Sequence, residues 1–83
     1  MTVDTYVATF HTYFAAMRTC AALKKRPETE ARMAPVPRQL SSSCGTCVFY
    51  RGEDPCLEAM APDLEAVYRQ EGETFRLAAR GEE

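Results

Sequence analysis

Apolar and polar positions along the chain follow two different periods. Thr5–Phe10 and Thr46–Tyr50 are short runs rich in β-forming residues, and each predicts a strand. Between them, Phe14, Met17 and Ala21 are spaced as on one face of a helix, so we expect a helix whose apolar stripe faces the core. The aromatic residues expected in that core are Phe10, Phe14, Phe49 and Phe75.

The limits of this first helix are marked in the sequence. Thr12 is a suitable N-cap, because its hydroxyl can accept a hydrogen bond from a backbone N–H of the first turn. The helix is expected to end before Pro27, since the residue that precedes a proline avoids the α conformation.

The remaining segments predict two strands and a second helix. Thr29–Pro37 predicts a strand that its prolines confine to a sheet edge or a strand end. Pro62–Gln70 predicts the helix, because Leu64 and Val67 recur at helical spacing. Glu73–Ala79 alternates apolar and polar residues and predicts the last strand.

The resulting order of elements is β-α-β-β-α-β. It predicts an α+β, ferredoxin-like fold, in which a four-stranded antiparallel sheet carries two helices on one face. The strands of such a sheet lie in the order 4-1-3-2. The start of the third strand would therefore lie beside the ends of the first and second strands.

Length and charge narrow the range of functions. The 83 residues are expected to form a single domain, residues 1–83, in which residues 80–83 are a disordered tail. A net charge of −2 and a pI near 5.4 argue against nucleic-acid binding. No apolar run approaches the roughly 20 residues of a membrane span, and the first residues do not resemble a signal peptide. We therefore expect a cytoplasmic protein with no membrane contact.

The chain has four cysteines, which in the cytosol indicate reactive thiols, metal ligands or redox chemistry rather than structural disulfides. Cys44 and Cys47 follow a run of serines, and two residues lie between them. Cys20 falls in the first predicted helix and is expected to be a small buried residue. Cys56 follows the third strand and is expected at the far end of the sheet from Cys44.

A motif in the middle of the chain has a known counterpart. A strand ends in Thr-Phe and a polar residue, a helix follows, and a Pro-x-Pro-Arg segment leads into Ser-Ser-x-Cys-Gly. The matching residues are Thr9, Phe10, His11, Pro35, Pro37, Arg38, Ser41, Ser42, Cys44 and Gly45. Over roughly residues 6–77 the chain resembles the selenium/sulfur carrier-like family of small domains, although Cys47 and residues 52–60 depart from the family pattern.

The resemblance implies a role for Cys44. It would hold sulfur or selenium as a covalent persulfide or perselenide, and it would exchange that atom with donating and accepting proteins. Neither a metal nor a separate cofactor is implied. Such a protein would be a carrier more than a true enzyme.

The predicted topology explains how this thiol could be activated. It brings Cys44 near His11, near Thr12 at the start of the helix, and near Arg38. A helix N-terminus, a cation and backbone N–H groups all favour a thiolate. The residues expected to support the thiol are Cys47, His11, Arg38, Ser41, Ser42, Ser43 and Gly45.

Two other functions fit the same residues. Cys44 and Cys47 could form a thiol–disulfide redox pair, in which Cys47 resolves a bond made by Cys44. Alternatively, the domain could be a non-catalytic zinc or interaction module, with Cys44, Cys47 and His11 as the available ligands. An exposed sheet edge could also pair two copies into a homodimer, which the sequence does not decide.

Overall fold

The computed structural model describes residues 3–40, 44–60 and 62–81. Within these ranges, the main elements are β1 (Asp4–Phe10), α1 (Tyr13–Lys24), β2 (Arg32–Pro35), β3 (Thr46–Gly52), β4 (Leu64–Glu71) and β5 (Thr74–Arg80). These five strands form one antiparallel sheet in the order β2-β3-β1-β4-β5, and the α-helix α1 packs on one face of it. Two single-turn 3₁₀ helices cover Pro27–Thr29 and Leu57–Ala59.

The ferredoxin-like prediction, with four strands and two helices, is wrong in its second half. The segment predicted as a second helix is β4, which pairs with β1 on one side and β5 on the other. A bulge in the β1–β4 pairing misled the prediction, because it places Leu64 and Val67, three residues apart, in the same core. Gly72, with φ of 65°, lies in the tight β4–β5 turn instead of ending a helix.

The limits of the first helix and the arrangement of the first three strands are as predicted. α1 begins after Thr12, whose side chain accepts a hydrogen bond from the Ala15 backbone N–H at 3.1 Å. The helix ends before Pro27, and β3 lies antiparallel between β1 and β2. The expected tail is described only as far as Gly81, whose N–H donates to the Glu65 carbonyl at 2.9 Å.

The main core lies between α1 and the sheet. The sheet contributes large side chains such as Phe10, Tyr50 and Val67, each almost fully buried. The inner face of α1 consists mostly of small side chains, which let the helix approach the sheet closely. These inner residues are Ala15, Ala16, Thr19, Cys20 and Leu23.

The apolar stripe predicted to face the core faces outward instead. Phe14 and Met17 are 62% and 42% exposed, and Ala21 is also exposed. The helix is thus apolar on two sides, and the side with small residues is the one that packs. The prediction that Phe14 belongs to the core is wrong.

The second face of the sheet carries a row of directly paired residues. From one edge to the other, the row runs Arg32, Phe49, Val7, Tyr68, Leu77. The Arg32 guanidinium lies over the Phe49 ring, 4.6 Å from its centroid. Val7, at the centre of the row, has no exposed surface although α1 lies on the other face.

The segment that follows β2 meets the β4–β5 turn. The Gln39 side-chain amide donates to the carbonyl of Glu73 at 3.1 Å, although β2 and β5 are opposite edges of the sheet. This contact joins the loop after β2 to the hairpin at the other edge of the sheet. Val7 and Thr9, which are two residues apart on β1 and outside the core cluster under α1, are also buried.

Candidate thiol site

The Cys44 thiol lies at the end of a loop whose base is tied by the backbone. Pro35 pairs with Thr46, and the Val36 N–H donates to the Gly45 carbonyl at 3.2 Å. Within the loop, the Leu40 N–H donates to the Pro37 carbonyl at 3.0 Å. The serines predicted to support the thiol, Ser41, Ser42 and Ser43, lie outside the described residues.

Cys44 is partly exposed, and its thiol donates to the Thr46 carbonyl at 3.3 Å. Gly45 turns the chain between these two residues with φ of 73°, a left-handed conformation that residues with a Cβ adopt only with strain. The space around Gly45 is open, because an added Cβ would have no atom within 4 Å. Its conformation, and not a lack of room, is therefore what favours glycine here.

Cys47 lies in a different environment from Cys44. It is on β3, paired with Thr9 and Ala34, and it has no exposed surface. Its thiol donates to the Pro35 carbonyl at 3.7 Å. Burial raises the pKa of Cys47 to about 11, and the positive charge of Arg32 opposes this rise.

The described contacts of His11 are made with β4 and the residue before it. His11 follows the end of β1, and its ring Nδ1 lies 3.3 Å from a carboxylate oxygen of Glu65. Its backbone N–H donates to the Asp63 carbonyl at 2.9 Å. Arg38 is exposed. The end of β1 lies beside the start of β3, since Thr9 pairs with Cys47, and the support of the thiol by His11 and Arg38 stays a prediction.

The other two cysteines are buried. Cys20 packs on the inner face of α1, as predicted. Cys56 follows the far end of β3, also as predicted, and its backbone N–H donates to the Asp54 carboxylate at 2.7 Å. Burial first, and then the negative charge of Asp54, raise the pKa of Cys56.

A cavity of about 300 Å³ lies at the opposite end of β3 from Cys44. Cys56, Arg26 and Arg51 are among the residues that line it. Both arginines are engaged in ion pairs, with Glu58 and Glu30 respectively. A thiol that reacts with other proteins must be accessible to them, and Cys44 is partly exposed whereas Cys56 is buried.

A metal site finds no support in the described parts of the chain. Residues 3–40, 44–60 and 62–81 contain no group of three His, Cys, Asp or Glu side chains placed to hold a metal ion. In the same ranges, no helix is long and apolar enough to cross a bilayer.

The sequence prediction missed the exposed apolar side of α1, which carries Phe14 and Met17. A signal for it exists in the sequence, because the segment from His11 to Arg26 contains the cations Arg18, Lys24 and Lys25 and no acidic residue. The spacing of Phe14 and Met17 instead predicts a stripe that faces the core.

The fold and the site together define a small α+β domain that presents one partly exposed thiol at the end of its sheet. A protein-family model described as "Putative Se/S carrier protein-like" matches residues 5–61, more than half of the chain. The chain therefore belongs to this selenium/sulfur carrier-like family. Neither a search of curated proteins nor a search of solved structures found a match.

Proposed function

We propose that the protein carries a sulfur or selenium atom on Cys44, as a persulfide or perselenide, between donating and accepting proteins. Family membership supports the general role. The observation that carries the choice of residue is the contrast among the four thiols. Cys44 is partly exposed, whereas Cys20, Cys47 and Cys56 are buried.

The proposed transfer needs no oxidant or reductant. The Cys44 thiolate attacks the terminal sulfur of a persulfide on the donor, and a new S–S bond forms. The S–S bond of the donor breaks at the same time, and the donor leaves as a thiolate. Transfer onward repeats the exchange with the acceptor thiolate as the attacking group, and selenium can take the place of the terminal sulfur.

The partial exposure of Cys44 supports this proposal. Cys44 stands just before β3, at the end of the sheet, and its side chain is not buried. A carrier needs such access, because a partner protein must bring its own persulfide into contact with the Cys44 sulfur.

The redox alternative has weaker support. A disulfide between Cys44 and Cys47 would require Cys47 to attack as a thiolate. Its complete burial and its pKa of about 11 both oppose formation of that thiolate near neutral pH.

The test is mass spectrometry of the reduced protein after incubation with inorganic polysulfide. We expect the wild-type protein to gain a sulfur atom that a thiol reductant removes. The gain should disappear in Cys44→Ser and persist in Cys47→Ser. A gain that persists in Cys44→Ser contradicts the proposal, and a loss of two hydrogens that requires both cysteines supports the redox alternative.

A further inference from the structure

α1 presents an apolar surface that nothing in the described structure covers. Phe14, Met17 and Ala21 form an exposed stripe along the helix, and Tyr13 beside it is 56% exposed. A surface helix ordinarily places charged or polar side chains at such positions. We call these four residues, together with the cations that flank them, the outer face of α1.

The flanking charges are all positive. Arg18, Lys24 and Lys25 are exposed, and none of them is in an ion pair with a described residue. The Arg18 guanidinium lies 5.7 Å from the centroid of the Phe14 ring, so charge and apolar surface are contiguous. This concentration occurs in a chain whose net charge is −2.

The outer face begins at the thiol end of the sheet. α1 starts three residues after β1 ends at Phe10, and the Thr9–Cys47 pair sets the end of β1 beside the start of β3. Cys44 lies three residues before Cys47. The first turn of α1, with Tyr13 and Phe14, is therefore at the same end of the molecule as Cys44.

We propose that the outer face of α1 docks an acidic partner protein that delivers sulfur to Cys44. This inference rests on the proposed carrier function. An apolar centre with a polar rim is the usual arrangement of a protein–protein interface, and cations in that rim select a partner whose rim is acidic.

Charge and shape disfavour the other occupants of this surface. A second copy docked through the same face would bring Arg18 and the lysines of both copies together, and like charges at an interface are costly. A membrane is less suitable, because the exposed large apolar side chains of the helix are confined to its first turn and a half.

The experiment compares two sulfur donors. A cysteine desulfurase with cysteine provides a protein-bound persulfide, and inorganic polysulfide provides sulfur without a protein. The rate at which Cys44 gains sulfur is measured at several concentrations of the carrier. The variants are Phe14→Ser and the single charge reversal Arg18→Glu. Val3→Ser and Arg80→Glu serve as matched controls, because Val3 is 49% exposed and Arg80 is an exposed cation on β5.

We expect both outer-face variants to lower kcat/KM for loading by the desulfurase by about tenfold or more, the effect of losing one strong interface residue. The control variants should load at the wild-type rate. Polysulfide should load all of the proteins equally, which shows that the variants fold and that Cys44 remains reactive. Added salt should slow loading by the desulfurase only.

Each other outcome overturns a specific claim. If polysulfide fails to load wild-type Cys44, the carrier function itself is wrong. If polysulfide loads Cys44 but the desulfurase acts equally on all variants, or on none, the docking inference is wrong. Sedimentation with phosphatidylserine vesicles that depends on Arg18 would identify the outer face as a membrane-binding surface instead.

Discussion

The two cysteines at the start of β3 should differ sharply in reactivity, although only two residues separate them. Burial raises the pKa of Cys47 from 9.0 to about 11. Near pH 7.5 this lowers its thiolate fraction about 100-fold relative to an ordinary cysteine. The Cys47 side chain has no exposed surface. Its alkylation is therefore slowed further, because a reagent can reach the sulfur only when β3 opens locally.

The assay is a short pulse of light iodoacetamide on the native, reduced protein, followed by heavy iodoacetamide after denaturation. Cleavage after Arg38 and Arg51 leaves both cysteines on one peptide, so fragment ions must separate the label on Cys44 from that on Cys47. We expect Cys44 to acquire the light label more than about 100-fold faster than Cys47. The Cys44→Ser variant should lose the fast phase without gaining a new one.

This prediction tests the assignment of the working thiol directly. If Cys47 reacts within about tenfold of Cys44 at pH 7.5, the burial argument fails and the redox pair becomes the better interpretation. A Cys47 rate that rises steeply between pH 9 and 11 without unfolding of the protein would confirm the elevated pKa of Cys47 separately from its accessibility.

Three further changes have defined outcomes. Gly45→Ala should lower the free energy of unfolding by about 1 kcal/mol, because φ of 73° is strained for alanine; urea unfolding measures this, and no loss would contradict the strain argument. Thr12→Ala removes the N-cap and should cost about 1 kcal/mol in the same assay, whereas Thr12→Ser should restore most of it. Burial raises the pKa values of Cys47 and Tyr50 in the folded state, so the protein binds these protons more tightly when folded. The stability that these two protonated groups contribute should therefore be fully present below about pH 9 and should be lost as the pH rises toward 11. Thermal melts at pH 8 and 10.5 measure this loss, which Cys47→Ala should reduce.

The boundaries of the first strand and the first helix were predictable, because the residues at these positions favour the same boundaries that the folded structure has. The β-forming run before His11, the Thr12 cap and Pro27 each mark a boundary that the structure uses. The position of Cys44 at the end of the sheet follows from the antiparallel pairing of β1 and β3, which the prediction included.

The second half was not predictable from spacing alone. A bulge between β1 and β4 gives Leu64 and Val67 a helix-like separation within a strand.

The side of α1 that packs on the sheet was also ambiguous, because apolar residues occur on both sides of the helix. In the folded protein the side with small residues packs against the sheet, and Phe14 is exposed to solvent.

Contacts between distant segments were beyond the reach of local patterns. Gln39 and Glu73, which are far apart along the chain, are joined by a hydrogen bond. Cys47 is buried on β3, whereas Cys44, just before the strand, is partly exposed, and this difference arises from tertiary packing. Sequence spacing shows two similar thiols, and only the structure distinguishes them.

The backbone tie at the base of the thiol loop fixes the register of β2 against β3 without the help of loop side chains. Because Pro35 pairs with Thr46 and Val36 bonds to Gly45, the strands are joined before the chain enters the loop. We expect the sheet to keep this register when the Cys44 side chain is exchanged for another nucleophile, provided that Gln39 keeps its contact with Glu73. The domain would then serve as a scaffold that displays a chosen reactive group at one end of a sheet.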